Sequence, residues 1–272
     1  MSHVANNVLD LLALARQVAA NAAATAARMR TEAITDVDTK STATDVVTAA
    51  DKAVEKQILA DLLTARPDDE VLGEEYGGTT VPAAAGRVRW IVDPIDGTVN
   101  YLYGLPQYAV SIAAEVDGET VAGVVHNVAT GAVWTAAKGH GAWRDGRQLS
   151  GSTATELAQT LVATGFAYAA ERRAHQGRVI AQLLPQVRDI RRMGSAALDL
   201  CAVAEGTIDV YFEKGLAAWD LAAGGLIASE AGLLVTGLSG RPPGPDLVLA
   251  APAALHRLLH DVLVELDADG GP

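Results

Sequence analysis

A layered α/β or α+β fold is predicted by three observations. The second half of the chain alternates strand-like and helix-like segments. The first half sets two helical stretches beside a run of strands joined by tight-turn dipeptides, the pattern of a largely antiparallel sheet. Length supplies the third: a chain of 272 residues and 28.1 kDa should bury roughly 73% of its extended surface, enough for several core layers.

Taken in order, residues 5–30 are Ala-rich with Leu9, Leu12, Val18 and Met29 at helical spacing, so one long amphipathic helix is expected. Residues 51–65 predict a second, with Thr48 and Asp51 available at its start, Val54, Ile58 and Leu62 along one stripe, and Arg66-Pro67-Asp68 ending it. Residues 77–87, rich in Gly, Thr, Pro and Ala, read as a flexible loop. Segments 88–93, 107–116, 119–128 and 131–137 are strand-like, and Asp117-Gly118 and Asp145-Gly146 are hairpin signals. Beyond them come a strand at 160–165, helices at 168–184 and 195–205, a strand at 208–212, a helix at 217–231, strands at 233–235 and 247–250, and a helix at 253–265. The change of character near 150 suggests an N-terminal lobe over 1–150 and a C-terminal lobe over 151–272.

Lys and Arg number 21 against 33 Asp and Glu, a formal charge of −12. Such a surface does not draw nucleic acid or anionic lipid by bulk charge, and taken alone it also argues against phosphate ligands. The single cysteine, Cys201, excludes an intramolecular disulfide and a thiolate metal site, and it reads as a buried helix residue. No charge-free apolar run of about 18 residues is present, nor a basic stretch leading into an apolar leader. The expectation is a cytoplasmic protein without nucleic-acid or membrane partners. One basic run, Arg172, Arg173, Arg178, Arg188, Arg191 and Arg192, stands against this acidity. It reads either as a solvated helix and strand edge, or as a dimer surface or a rim that draws in phosphates.

The chemistry concentrates in Trp90-Ile91-Val92-Asp93-Pro94-Ile95-Asp96-Gly97-Thr98. An apolar strand runs into two carboxylates three residues apart, so both can face one point, and the Ile95 carbonyl between them is freed from sheet pairing. Hard divalent cations want such oxygens. Alone, the segment would be an Asx-turn with a helix cap. Glu74 follows Val71-Leu72-Gly73 at another strand end, and Asp220 follows Trp219 where a helix opens and would by itself be a cap. If Glu74, Asp93, Asp96 and Asp220 converge, two of them about 5 Å apart repel by roughly 3 kcal/mol at an effective dielectric near 20. Such a cluster needs cations. With no Cys or His at ligand spacing, Mg²⁺ or Mn²⁺ fits better than zinc, and Mg²⁺ brings phosphoryl chemistry with it. An aspartyl-phosphate mechanism of the haloacid-dehalogenase type is excluded because Pro94 stands where its nucleophilic Asp is needed, and no G-x-x-x-x-G-K-[ST] loop occurs.

The segments Asp45-Val46-Val47-Thr48-Ala49-Ala50-Asp51, Gly73-Glu74-Glu75, Trp90 to Thr98, Gly194-Ser195-Ala196-Ala197, Glu213 and Trp219-Asp220-Leu221-Ala222-Ala223-Gly224, in this order, resemble the inositol monophosphatase family of Mg²⁺-dependent, lithium-sensitive phosphatases. The resemblance covers most of the chain. It implies an α-β-α-β-α sandwich of the inositol monophosphatase and fructose-1,6-bisphosphatase kind, with metals where the lobes meet. It implies that Glu74, Asp93, the Ile95 carbonyl and the Thr98 hydroxyl hold an activating ion, that Asp93, Asp96 and Asp220 hold a second, and that Glu74 holds a third through water. The cofactor is then two or three Mg²⁺, or Mn²⁺. Asp51 and Thr98 would orient and deprotonate the attacking water, with Glu74 beside them as part of the catalytic set.

By the same likeness Asp96, Gly97, Thr98, Gly194, Ser195, Ala196, Glu213 and Asp220 would contact substrate, Glu213 accepting hydrogen bonds from polyol hydroxyls. The implied reaction is hydrolysis of myo-inositol 1-phosphate or a similar small phosphorylated polyol, carried out by a homodimer. L-Histidinol phosphate, fructose 1,6-bisphosphate and a 3′-phosphoadenosine nucleotide are the alternative substrates, and an interaction protein that keeps the fold is the alternative outside catalysis. Lys40 matches a lysine of the family's mobile N-terminal loop. The stretch Ala231 to Gly237 lacks an acid usual there, and Val128 replaces a common Pro.

Overall fold

The computed structural model describes residues 7–32, 37–39, 46–78 and 83–271; Lys40 and Asp45 lie outside the described residues. Helix α1 (Val8–Thr31) opens on Asn7, whose side chain accepts the Leu9 N–H at 3.1 Å. Helix α2 (Ala49–Ala65) opens on Thr48 with a reciprocal capping box to Asp51. A short antiparallel ribbon of β1 (Val37–Thr39) and β2 (Val46–Thr48) joins them.

Two larger sheets follow. β3 (Glu70–Gly73), β4 (Val88–Asp96), β5 (Ala109–Val116), β6 (Glu119–Asn127), β7 (Val133–Ala137), β8 (Ala142–Arg144) and β9 (Arg147–Gln148) lie side by side in chain order. All pairs are antiparallel except β3 with β4. Both expected hairpins form: Asp117 and Gly118, and Asp145 and Gly146, all have positive φ, as a type I′ turn requires. A short helix α3 (Thr98–Tyr103) interrupts this sheet after β4 and, at six residues, is too brief to leave a readable period in the sequence.

The second sheet has the order β11-β10-β12-β14-β13, from β10 (Leu161–Thr164), β11 (Asp189–Arg191), β12 (Val210–Glu213), β13 (Leu234–Thr236) and β14 (Val248–Ala251). Its helices are α4 (Ala170–Leu183), α5 (Ala196–Glu205), α6 (Ala218–Glu230) and α7 (Ala253–Glu265).

Period-two alternation in the strands distributes the core into layers. On β4, Val88, Trp90 and Val92 face Leu11, Val18, Val54 and Ile58 of α1 and α2, while Ile91 faces the other way onto α5 and α6. On β12, Tyr211 packs with Leu200 and Val203 of α5, while Val210 and Phe212 pack with Leu183 of α4 and Leu259 of α7. Helices α5 and α6 are thus apolar on two sides: Cys201 and Ile227 serve the first sheet, Leu200 and Ala228 the second. The result is the expected five-layer order α1/α2, sheet, α5/α6, sheet, α4/α7. Asp220 opens one of the middle helices.

Candidate active site

The first sheet brings three acids to one end. β4 pairs Asp93 with Ser111 and Asp96 with Ala109, and the register shifts between them. Pro94, which has no N–H to give, and Ile95 occupy the break, so the Ile95 carbonyl is not spent on the β5 ladder. Parallel pairing of Gly73 with Val92 sets Glu74 level with Asp93 on the neighbouring strand end. Ser111, opposite Asp93, reaches the Trp219 carbonyl at 3.3 Å and so ties the start of α6 to the same place. One carboxylate oxygen from each of Asp93, Asp96 and Asp220 then lies within 4.8 Å of the others.

The acids are not equally satisfied. Asp96 Oδ2 accepts from Ser195 Oγ at 2.5 Å and from the Ala197 N–H at 2.8 Å, capping α5. Asp220 is the third residue of α6 rather than its N-cap, which is Ala217; its carboxylate reaches back to accept the Ala217 N–H at 2.6 Å. Asp93 Oδ1 is buried with no hydrogen-bond partner. Burial is the largest cause pushing all three carboxyls above their ordinary range; the charges of Glu74, Asp96, Asp220 and Asp51 add to it at Asp93. At about 5 Å and an effective dielectric near 20, each pair of ionised neighbours costs about 3 kcal/mol. A buried oxygen without a donor among crowded carboxylates suits a divalent cation with oxygen ligands. Glu74, half-buried, stands close enough for its charge to raise both Asp93 and Asp220.

Asp51 approaches from α2. Its Oδ2 accepts from the Thr48 N–H at 3.0 Å and from the Thr48 hydroxyl, which leaves Oδ1 for Thr98 Oγ1 at 3.1 Å. Burial pushes the Asp51 carboxyl up to about 6, against the Thr48 hydrogen bonds that pull it down. Gly97 precedes Thr98 at φ +91°, and a Cβ there would stand 2.7 Å from the Gln107 carbonyl and 3.2 Å from the Gly194 carbonyl, so only glycine fits.

A cavity of about 300 Å³ opens beside the acids. Asp96, Gly97, Gly194, Ser195, Ala196, Glu213 and Asp220 all line it, as the sequence suggests for substrate contacts, whereas Thr98 is not on its wall. Glu213 closes the β12 end: Tyr211 Oη donates to it at 2.8 Å, and burial pushes it up to about 7. From the basic run only Arg172 and Arg192 reach the wall; Arg173 instead donates to the Tyr168 carbonyl at 2.6 Å.

Several residues of this site escape a reading of the sequence. Asn100 Nδ2 donates to the Gln107 carbonyl at 2.7 Å and the Met193 carbonyl at 2.9 Å, holding the Gly194 loop against α3. Gly165 leaves the room that the Glu213 carboxylate fills. Asp199, buried on α5 with Oδ1 unpartnered, is held above the ordinary carboxylate range by burial first and the Glu213 charge second. An acid in the apolar stretch Ala196–Ala204 of α5, ahead of the terminal Glu205, is the signal that could have revealed it.

Comparison with known proteins gives matches along nearly the whole chain. The family described as the inositol monophosphatase family matches residues 7–267. The chain is 49% identical over 223 residues to the inositol-1-monophosphatase of Mycobacterium leprae, covering 79% of this chain and 77% of that one. It is 38% identical over 261 residues to a protein of Pasteurella multocida named Nus factor SuhB, covering 94% and 96%. The solved structure of Mycobacterium tuberculosis SuhB superposes with a TM-score of 0.82 at 40% identity, covering 97% of this chain and all of that one.

Proposed function

The chain belongs to the inositol monophosphatase family, and from that membership we propose that it is a divalent-cation-dependent phosphomonoesterase hydrolysing myo-inositol 1-phosphate, or a similar polyol phosphate, to alcohol and inorganic phosphate. The observation that carries the reading is the Asp93, Asp96 and Asp220 cluster, with its orphaned Asp93 oxygen, set beside a cavity that Glu213 lines.

Two or three Mg²⁺, or Mn²⁺ in their place, held by these acids with Glu74, the Ile95 carbonyl and the Thr98 hydroxyl, would neutralise the carboxylate field and lower the pKa of a bound water. The chain's own groups do the rest. Thr98 orients the attacking water and passes its proton to Asp51, whose Oδ1 lies 3.1 Å from the Thr98 hydroxyl. Backbone N–H groups at Gly97 and Thr98 hold phosphate oxygens. Gly194, Ser195 and Ala196 shape the polyol's approach, and Glu213 accepts from its hydroxyls, which discriminates against compounds lacking them. A cytoplasmic homodimer completes the proposal; among the described residues no helix is long and apolar enough to cross a membrane.

The test is phosphate release from inositol 1-phosphate, L-histidinol phosphate, fructose 1,6-bisphosphate and 3′-phosphoadenosine 5′-phosphate with Mg²⁺. Inositol 1-phosphate should lead, and Asp93→Asn should abolish release while the circular dichroism spectrum is kept. Full activity of that variant at saturating Mg²⁺ would remove the metal assignment. The 38% likeness to a protein named Nus factor SuhB favours a second reading, an interaction protein that keeps the fold. Turnover of none of the four substrates would favour it.

A further inference from the structure

The segment that follows α7 folds back to reach Lys214, a residue that lines the cavity. The Asp267 N–H donates to the Val264 carbonyl at 3.1 Å and the Ala268 N–H to the Leu263 carbonyl at 2.9 Å, and Ala268 is buried in the core formed by α4, β12 and α7. Beyond it, three successive carbonyls converge on one side chain: Lys214 Nζ donates to Asp269 O at 2.9 Å, Gly270 O at 2.7 Å and Gly271 O at 3.2 Å. An ammonium has three protons, so these bonds use its whole donor capacity. Lys214 is therefore committed to the backbone of this segment and not to a ligand, although the residue lines the cavity immediately after Glu213.

Two more contacts hold the segment to α4 and to the loop after β13. His175 Nε2, on α4, lies 2.8 Å from the Asp267 carbonyl, and Arg241 pairs with the Asp269 carboxylate. On the other side of Lys214, the Gly215 N–H donates to the Pro245 carbonyl at 2.9 Å. The Lys214-Gly215 bend that follows Glu213 at the end of β12 is thus held from both directions.

We infer that Lys214 is a positioning residue: clamped by the carbonyls of Asp269, Gly270 and Gly271, it fixes the turn that presents Glu213 to the polyol, and so sets substrate affinity without touching the reacting phosphate. The inference rests on the proposed polyol role of Glu213.

The test compares Lys214→Met, which keeps the length of the stem and removes the donors, with Lys214→Arg, which keeps donors. For Lys214→Met, KM for inositol 1-phosphate should rise about fivefold to tenfold with kcat nearly unchanged, as loss of binding common to ground and transition states requires. KM for p-nitrophenyl phosphate should not change, and Lys214→Arg should restore most of the affinity. If the wild type prefers another sugar phosphate, that compound takes the place of inositol 1-phosphate in the comparison. Independently of any substrate, amide hydrogen exchange at Gly215 and Ala268 should quicken in Lys214→Met. Should Lys214→Met fold poorly, Arg241→Ala, which frees Asp269 from the opposite side, should give the same split in KM. Equal KM changes for both substrates, or unchanged exchange at Gly215, would overturn the inference. Failure of the wild type on every polyol phosphate, with exchange still quickened, would overturn the proposed substrate and leave the clamp standing.

Discussion

Thr98 Oγ1 stands 3.1 Å from Asp51 Oδ1 and 3.1 Å from the Ile95 carbonyl, and its one proton can serve only one of them at a time. Both acceptors come from elements whose other bonds are already made: Asp51 is fixed by its capping box and Ile95 by the break in β4. The hydroxyl thus has a carboxylate and a carbonyl as alternative acceptors for its proton.

Removing that hydroxyl should separate catalysis from folding. Thr98→Val is expected to lower kcat by about 100-fold or more, the ordinary contribution of a positioned proton-transfer group. The hydrogen bond lost to the buried Asp51 oxygen should cost about 1–3 kcal/mol in urea unfolding. A kcat within threefold of wild type would rule out the water-orienting role.

Metal removal should make stability depend on pH in a stated direction. Asp51 moves from an ordinary value of 3.8 to about 6 and Glu213 from 4.5 to about 7, and Asp93, Asp96 and Asp220 are also raised. A carboxyl raised on folding binds its proton more tightly in the folded state, so its contribution is complete below the unfolded value and is lost as pH climbs through the folded one. In EDTA the Tm should fall between pH about 4 and about 7. Mg²⁺ should restore more of it at pH 8 than at pH 5, and differential scanning fluorimetry reads both. A Tm that rises over this window in EDTA would contradict it.

Substrate recognition by Glu213 predicts a split between substrates. Glu213→Gln keeps the shape and can still accept from one oxygen, so KM for inositol 1-phosphate should rise modestly, about threefold, while Glu213→Ala should raise it by about tenfold or more. An aryl phosphate without hydroxyls should show neither change. Steady-state kinetics on the two compounds checks the difference.

Gly165 offers a way to displace the same carboxylate without altering it. A Cβ at this position would overlap the Glu213 carboxyl group. Gly165→Ala should therefore mimic the KM effect of Glu213→Ala and cost about 1–3 kcal/mol as an overpacking change. Unchanged KM would mean that Glu213 can move aside without consequence for binding.

Much of this architecture is readable from the residues because the relevant signals are local. Val54, Ile58 and Leu62 recur at helical spacing, Asp117-Gly118 needs left-handed turn geometry, and Asp96 closes β4, Asp93 precedes its break at Pro94 and Asp220 stands in the first turn of α6. What stays hidden depends on pairs distant in sequence. Nothing in Gly165 announces that Glu213 will fill the space beside it, and nothing in Asn100 announces the Met193 carbonyl. Lys214 reads as an ordinary charged residue after a strand, because the three carbonyls that hold it lie 55 to 57 positions further on. Such contacts are set by the packing of layers, which no window of sequence contains.

Helix α6 lies between the two sheets, its Ala223 and Ile227 against one and its Ala228 against the other, with Asp220 in its first turn. A cation held by Asp93, Asp96 and Asp220 would therefore tie the first sheet to the middle helix layer on which the second sheet also packs. Loading that site should stiffen the contact between the first sheet and the helix layer that both sheets share, so the unfolding transition should sharpen as well as shift. The sharpness of the unfolding transition, as distinct from its midpoint, becomes a gauge of how fully the centre is occupied.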